Sequence, residues 1–507
     1  SQDDHVWVES TKPGLDHSFS GATMPHALVY NSTTGQFSFE PITWTSRTVG
    51  DTLSSPEPSF VGKTISDILV HKNRLVLLSD ENVILSESGE FFNFFPTTAT
   101  ALLDSDPIDI AGTGNTVALW DRAVPYLGNL TLFSSTGKLI SELVGSRDAP
   151  LTVKNARIEE RLVHDHEDIR PASVGSALYF LLDRGGSSSV RSYTQVDIDR
   201  FTSDEVTGHV QRFLPPNITH MEGTSAQNIV AFLTSDSDKR NRIYIYRFHF
   251  LGNDQVLTSW SYWTTATSDT IVAIQWIRSV LYVFISRADG FHLEKMDFGK
   301  LDEDEGAGST PLGYRVHLDS LVEVTGVYTP FPVNSTSWTI PYSQNTIGGT
   351  YRLVKSGNWG ATRGDAIPIL SSAVDGAVTA SGDWHNYSVY FGREYTWTYE
   401  LSQFHVRDRS GNVDRGRLVG NLHISNATVA YRDAGAFNVE IKSRNDSDTY
   451  TDSFTATDPD TLERGDFKFD VGGDSKDVRV ILTGTYRPCK LSALDWEGRY
   501  RQFSDQT

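Results

Sequence analysis

Short apolar runs, each closing on a polar turn, recur through the first three hundred residues. They are RLVLLSDE from Arg74, NTVALWDR from Asn115, ALYFLLDR from Ala177, IVAFLTSD from Ile229 and VLYVFISR from Val280. Each is too short for a helix and rich in β-branched or aromatic residues, so each reads as a strand. Successive members lie roughly 40 to 60 residues apart, with further strand-like runs between them, which is the spacing of small antiparallel sheets repeated as propeller blades. The repeat is degenerate, and neither a Trp-Asp signature nor an Asp-box pattern is present. The expectation is an irregular β-propeller over residues 1–300.

Long Ala/Leu/Glu/Lys stretches of helical period are nearly absent, and 26 Phe, 20 Tyr and 11 Trp accompany abundant Thr, Ser and Val. The chain is therefore mostly β. At 507 residues it exceeds one typical core, so several domains are expected. A single cysteine, Cys489, excludes an intrachain disulfide and any zinc site built from several cysteines. That suits synthesis in a reducing cytoplasm. No run of eighteen apolar residues and no signal-like start occurs, so membrane insertion by the chain on its own account is not expected. Asn-x-Ser/Thr triplets such as those at Asn31 and Asn217 arise by chance in a chain so rich in Ser and Thr.

Past residue 300 the pattern changes. Asp302-Glu303-Asp304-Glu305 beside Gly, Ser and Pro reads as an exposed loop or linker and marks a boundary. Residues 301–385 form a β-rich insertion or tip domain. From 386 to 507, SVYFGREYTWTYELSQFHVRD, the turn Asp408–Asn412 and the runs RLVGNLHIS, TVAYRD, FNVEIKS and DVRVILTG give a β-sandwich-like rhythm.

The densest information lies in Pro58–Ala111. Two strand runs flank Ser79-Asp80-Glu81-Asn82, a polar break suited to a hairpin turn. Phe91, Phe92, Phe94 and Phe95 then surround Asn93, and rings so close in sequence need several elements converging on them. The run nRLxxLSxENVxLSxSGxFFNFFPTT at Asn73–Thr98, followed by DPIDIA at Asp106–Ala111, resembles the tail tubular protein B family, the nozzle proteins of short-tailed double-stranded DNA phages. TMPHALV at Thr23–Val29, FEPITW at Phe39–Trp44 and SALDWEGRY at Ser492–Tyr500 agree, so the likeness spans nearly the whole chain. Members of that family carry a substantial segment ahead of the region matching Val6-Trp7-Val8-Glu9, where this chain starts at Ser1. The expectation is either a processed or truncated N-terminus or a missing part that is supplied elsewhere.

The resemblance implies a structural subunit of the virion tail, made in the host bacterial cytoplasm, that assembles as a homohexamer. Its implied partners are a tail adaptor protein and tail fibres. Genomic double-stranded DNA would pass through the lumen of the ring, which acts as conduit and gate for ejection. Arg74, Asn82, Phe91, Asn93, Phe94, Asp106 and Asp109, the family motif residues, are expected in fold or subunit-interface roles. The gate residues are not legible. A net charge of −20, with 64 acids against 44 bases, argues against tight, sequence-reading DNA contacts. An acidic wall instead lets a polyanion pass without sticking.

Other stretches of the chain offer residues that could carry chemistry. His164-Asp165-His166-Glu167-Asp168 could present two imidazoles to a metal from a strand, but no third histidine lies at companion spacing, and a solvated charged loop is the better reading. The acidic run at Asp302 lacks EF-hand spacing. Arg363-Gly364-Asp365 and Arg464-Gly465-Asp466 are chance tripeptides. No nucleophile elbow, phosphate-binding loop or dinucleotide fingerprint occurs. No cofactor, metal or catalytic residue is assigned. The alternative function is a host-glycan-binding or glycan-cleaving propeller of the tail, for which Trp260, Tyr262, Trp263 and Trp276, or Tyr395, Trp397 and Tyr399, would supply sugar-stacking rings. Core packing is the favoured role of both sets.

Overall fold

A computed structural model describes residues 8–112, 116–136, 138–146, 149–197, 200–251, 254–299, 312–342, 349–370, 376–405, 420–443, 448–458 and 461–502. Asp302–Glu305, the turn at Asp408–Asn412 and the pair Val6-Trp7 lie outside these residues. The described chain is β-strand and loop, with one 3₁₀ turn at Gly357–Thr362. It divides into two compact units, Ser1–Thr264 with Ile271–Ser279, and Thr265–Thr270 with Val280–Thr507.

The first unit begins with a two-stranded hairpin, β1 (His26–Asn31) and β2 (Gln36–Pro41). Four antiparallel meanders of four strands follow in chain order. The first holds β3 (Asp67–His71), β4 (Arg74–Ser79), β5 (Asn82–Leu85) and β6 (Ile108–Ala111). The second holds β7 (Trp120–Tyr126), β8 (Asn129–Ser134), β9 (Leu139–Val144) and β10 (Arg157–Val163). The third holds β11 (Ala172–Val174), β12 (Ala177–Asp183), β13 (Ser188–Asp197) and β14 (Arg200–Glu205). The fourth holds β15 (Ile218–Thr224), β16 (Ile229–Thr234), β17 (Arg242–Leu251) and β18 (Asp254–Thr264). β19 (Thr270–Ile277) comes next in the chain.

The inner strands of these meanders are apolar on both faces, and the cores show why. In β12, Ala177, Tyr179 and Leu181 pack with Val230 and Phe232 of β16, whereas Leu178 and Phe180 point the other way, towards Phe133 of β8 and Ile140 of β9. In β4, Val76 and Leu78 meet Trp120, Leu130 and Leu132 of the second meander, while Leu77 turns to Met24, Trp44, Phe60 and Phe94. A strand buried on both faces loses the polar alternation of a surface strand and reads as an unbroken apolar run. Each fully buried Leu, Val or Phe contributes about 1.5–3 kcal/mol.

The repeat is displaced in one place. The runs at Arg74, Ala177 and Ile229 are β4, β12 and β16, the second strand of their meanders, but in the run NTVALWDR, whose Asn115 lies outside the described residues, Trp120 opens the first strand of its meander. The second strand of that meander is β8. Just ahead of β7, the Leu119 amide donates to Thr136 Oγ1 at 2.8 Å, a side-chain partner in place of a ladder carbonyl.

In the second unit, β20 (Val280–Arg287) and β21 (Gly290–Asp297) form a hairpin. β22 (Asp319–Thr329), β23 (Ser335–Thr339), β24 (Tyr351–Lys355), β25 (Ala366–Ile367), β26 (Ala377–Ser381) and β27 (Ser388–Arg393) make a six-stranded sheet, ordered β25-β24-β27-β22-β23-β26. Trp338, Leu353, Val378, Val389 and Phe391 share one core on it. The remaining strands are β28 (Trp397–Glu400), β29 (Gly420–Ala434), β30 (Ala436–Ser443), β31 (Thr449–Thr455), β32 (Glu463–Asp474), β33 (Val478–Gly484) and β34 (Lys490–Gln502). They form two sheets, β28-β33-β30-β31 and β32-β29-β34, whose residues Ile424, Val429, Val439, Phe469 and Leu482 meet in a common core. The run from Ser388 holds two strands: β27 joins the six-stranded sheet and β28 joins β33.

Candidate functional site

The residues singled out between Arg74 and Asp109 lie on and around the first meander. A two-residue loop, Lys72-Asn73, joins β3 to β4 with both residues at positive φ (46° and 60°), the twist a tight hairpin needs. Arg74 follows at the strand's start. Its side chain is 2% exposed. Nη1 donates to the carbonyls of Ser86 (2.7 Å), Asp106 (2.8 Å) and Ser105 (3.2 Å), and Nη2 to those of Asp104 (3.0 Å) and Leu151 (3.4 Å). Burial lowers the guanidinium pKa, with Glu87 and Asp106 opposing it, but arginine stays charged in proteins. One cation thus fixes three separate stretches of backbone.

The other motif polar groups tie loops to the same sheet. Asn82 Nδ2 donates to Asp109 Oδ1 (2.8 Å) and Ser59 Oγ (3.1 Å), and Asp109 Oδ2 accepts from the Ser59 amide at 2.8 Å. Asn93 is buried, donates to Glu87 Oε2 at 2.6 Å and accepts from the Phe95 amide at 3.0 Å. Asp106 Oδ2 accepts from the Leu103 amide at 2.7 Å.

The four phenylalanines diverge. Phe94 is buried edge-on to Phe60 (5.3 Å between centroids) and beside Trp44. Phe95 stacks on Phe19 at 5.0 Å beneath the Arg47 guanidinium. Phe92 is exposed and meets Trp44 by its edge, and Phe91 is half-buried. Beside this cluster opens a cleft of about 390 Å³, lined mainly by apolar side chains including Leu53, Pro56, Pro58, Phe94, Pro96 and Leu102. Along its lining, Glu9 accepts from the Ala99 amide (2.8 Å) and from the Thr98 and Thr100 hydroxyls, and these bonds, the Ala99 amide first, hold its pKa below the usual carboxylate range.

Sequence reasoning passed over Asp67 and Arg170. Asp67 is buried, pairs with Arg170 and accepts from the Ala123 amide at 3.0 Å; Arg170 also donates to the Ala123 carbonyl. This pair ties β3, β7 and the segment leading to β11. The only sequence signal was an acid opening an apolar strand run, and nothing marked its partner 103 residues away.

Of the other candidates, His166, Trp260, Trp276 and Trp397 pack into cores, while Tyr262 and Tyr399 are exposed. His164 and His166 lie in the loop after β10, not along a strand, and their rings meet Phe180 and Phe133 edge-on. His166 is buried, which lowers its pKa, so the solvated-loop reading fails for this residue while Asp165 pairs with Lys138 at 2.8 Å. Among the described residues no group of three or more His, Cys, Asp or Glu is arranged to hold a metal. Trp260 packs on Phe232 and Tyr246, Trp276 is buried, and Tyr262 is exposed beneath Arg242. Trp397 packs into the common core of the last two sheets, while Tyr399 is exposed. Tyr395 precedes β28, and burial pushes its hydroxyl up to about 12. No described helix is long and apolar enough to cross a membrane.

A sequence profile described as bacteriophage nozzle protein matches residues 1–507. The chain is also 28% identical over 510 residues to tail tubular protein gp12 of Escherichia phage T7, covering 98% of this chain. It spans 63% of the length of that relative. Among solved structures, the exo-beta-1,3-galactanase of Phanerochaete chrysosporium is 9% identical, with 94% of this chain and 100% of that chain covered, at a TM-score of 0.25. The Bombyx mori GH32 beta-fructofuranosidase is 9% identical, with 84% and 90% covered, at a TM-score of 0.19. Scores this low carry no inference about fold or activity.

Proposed function

The chain belongs to the bacteriophage nozzle protein family, and from that premise we propose that it is a structural subunit of a phage tail nozzle. It assembles as a sixfold ring in the virion tail, conducts and gates the genome during ejection, and docks the tail adaptor and fibres. The observation that carries this reading is the family match along residues 1–507, supported by a relative named as a tail tubular protein.

The four consecutive meanders, with cores between successive sheets, support an irregular propeller that serves as a rigid wall block. Arg74 supports the motif's role in holding that block together, and the Asp67–Arg170 pair adds to it from outside the motif. The division at 300/301 and 385/386 carries over as a proposal, with β27 joined to the sheet of the middle block and a sandwich-like domain after it. The role is that of conduit and gate, not catalyst.

The excess of acids, 64 to 44, supports a net negative lumen, through which DNA slides without sticking. A bore lined mainly by Arg and Lys overturns that part. Light scattering and electron microscopy of the purified protein and of the virion test the whole. The expected result is a sixfold ring with an axial hole that matches density at the tail tip. Virions whose tail tip holds no such ring count against the reading.

A further inference from the structure

The β1–β2 hairpin is the least covered pair of strands in the first unit. Its register pairs His26 with Pro41, Leu28 with Phe39 and Tyr30 with Phe37, so these six side chains share one face. Leu28 is 66% exposed, Tyr30 56%, Phe37 65% and Phe39 73%. Phe39 stacks on His26 at 5.1 Å and Phe37 lies against Tyr30 at 5.0 Å, an aromatic ladder open to solvent. The hairpin is nonetheless well shaped. Asn31 Oδ1 accepts from the Thr33 and Thr34 amides, and the Gly35 amide donates to the Asn31 carbonyl at 2.8 Å. Both ends are anchored, by Met24 before it and Trp44 after it, in the Phe94 core. Two strands alone are marginal in water, and an apolar face this bare marks an interaction surface.

Charge selects the occupant. Within residues 26–41 the sole formal charge is Glu40, on the opposite face from the ladder, so a strongly charged partner has nothing to grip. Copies of a chain with net charge −20 repel one another except where charge is sparse, and the hairpin is such a place. The same unit carries an apolar cleft. Its cleft, about 390 Å³, has room for aromatic side chains, and Leu53 and Leu102 on its lining are exposed. The acids of that lining already have partners: Asp109 holds Asn82 and the Ser59 amide, Asp106 the Leu103 amide, and Glu57 lies 3.9 Å from Arg47.

We propose that the aromatic face of the β1–β2 hairpin docks into the cleft of a second copy of this chain. The contact joins two different surfaces, so it propagates head to tail, and it closes when the rotation per step completes a ring. It rests on the ring reading above and gives that ring its first named contact.

Disulfide trapping in a Cys489→Ser background tests it. The pair Phe39→Cys with Leu102→Cys is expected to give a reducible ladder of oligomers on oxidation, and each single variant none. Dimers from Phe39→Cys alone would mean that hairpins pair with each other, which overturns cleft docking. Sedimentation velocity of Phe37→Ser/Phe39→Ser, with an unchanged melting curve as the control for folding, is expected to show at least a tenfold weaker association. Unchanged association of that variant, or a parent chain monomeric at its solubility limit, overturns the contact. So does binding of the parent, but not the variant, to phosphatidylcholine vesicles, which would make the face a lipid contact. The nozzle reading is judged separately, by tail-tip density in virions, and survives any of these results.

Discussion

Two hairpins of the first unit, both built of apolar strands, end in opposite environments. β4–β5 is almost wholly buried, with Val76, Leu77, Leu78, Val83, Ile84 and Leu85 all within 1% of complete burial. In β1–β2 no residue is buried, although QFSFEP alternates as a strand with one covered face should. The difference lies in what each hairpin meets. β4–β5 is packed from both sides, and Arg74 binds the loops that pass over its end. Among the described residues, no side chain of β1–β2 is buried, and it is the flanking Met24 and Trp44 that join a core. A hydrophobic pattern thus says that a face will be covered, but not whether the cover belongs to the same molecule.

The comparison breaks most visibly at Arg74. Arg74→Ala leaves five carbonyls without their donor, at about 1–3 kcal/mol for each that stays buried. Against a typical total stability of about 5–15 kcal/mol, soluble folded protein is expected to be lost, as read by expression and urea melts. Arg74→Lys keeps the charge but not the fork and should fall between. Phe94→Ala, which empties an aromatic core, should cost about 3–5 kcal/mol in the same melts. Normal melting would show that this ring does not hold the core.

A smaller effect comes from His71, buried beside Arg74 at the same turn. Desolvation, with Lys72 nearby, holds its pKa down at about 4 against the 6.5 of an ordinary histidine. A histidine depressed in the folded state takes up its proton more readily when unfolded. Its contribution is therefore complete above pH 6.5 and is lost as pH falls towards 4. The melting temperature should decline across that window, and His71→Gln should flatten the upper part of the decline. At the other extreme, Phe39→Ser should leave the stability of the unassembled chain within about 0.5 kcal/mol. A larger loss would show that the hairpin face is covered within its own chain.

Much of the first unit was legible because apolar runs and polar turns are local signals. β4, β12 and β16 begin where the runs begin, and Ser79–Asn82 does turn a hairpin. The run at Asn115 misled because a side-chain acceptor, Thr136, takes the amide that would have extended the strand. The role of Arg74 was not legible, since its acceptors lie up to 77 residues away and are backbone carbonyls, which leave no mark on side-chain identity. His166 misled for a similar reason: neighbours in sequence are charged, but Phe133, its neighbour in space, is not.

The reach of Arg74 also has a bearing on how long the folded state lasts. Its acceptors stand 12 to 77 residues along the chain, so its bonds require loops of very different lengths to be closed already. We expect contacts of that kind to form late, after the transition state has gathered most of its buried surface. We expect Arg74→Lys to steepen the loss of native molecules with time by raising the unfolding rate, while leaving the refolding rate in place. A chevron whose refolding arm drops instead would put this cation in the folding nucleus. For the tail part proposed above, a side chain that sets lifetime has a value that equilibrium melts do not register.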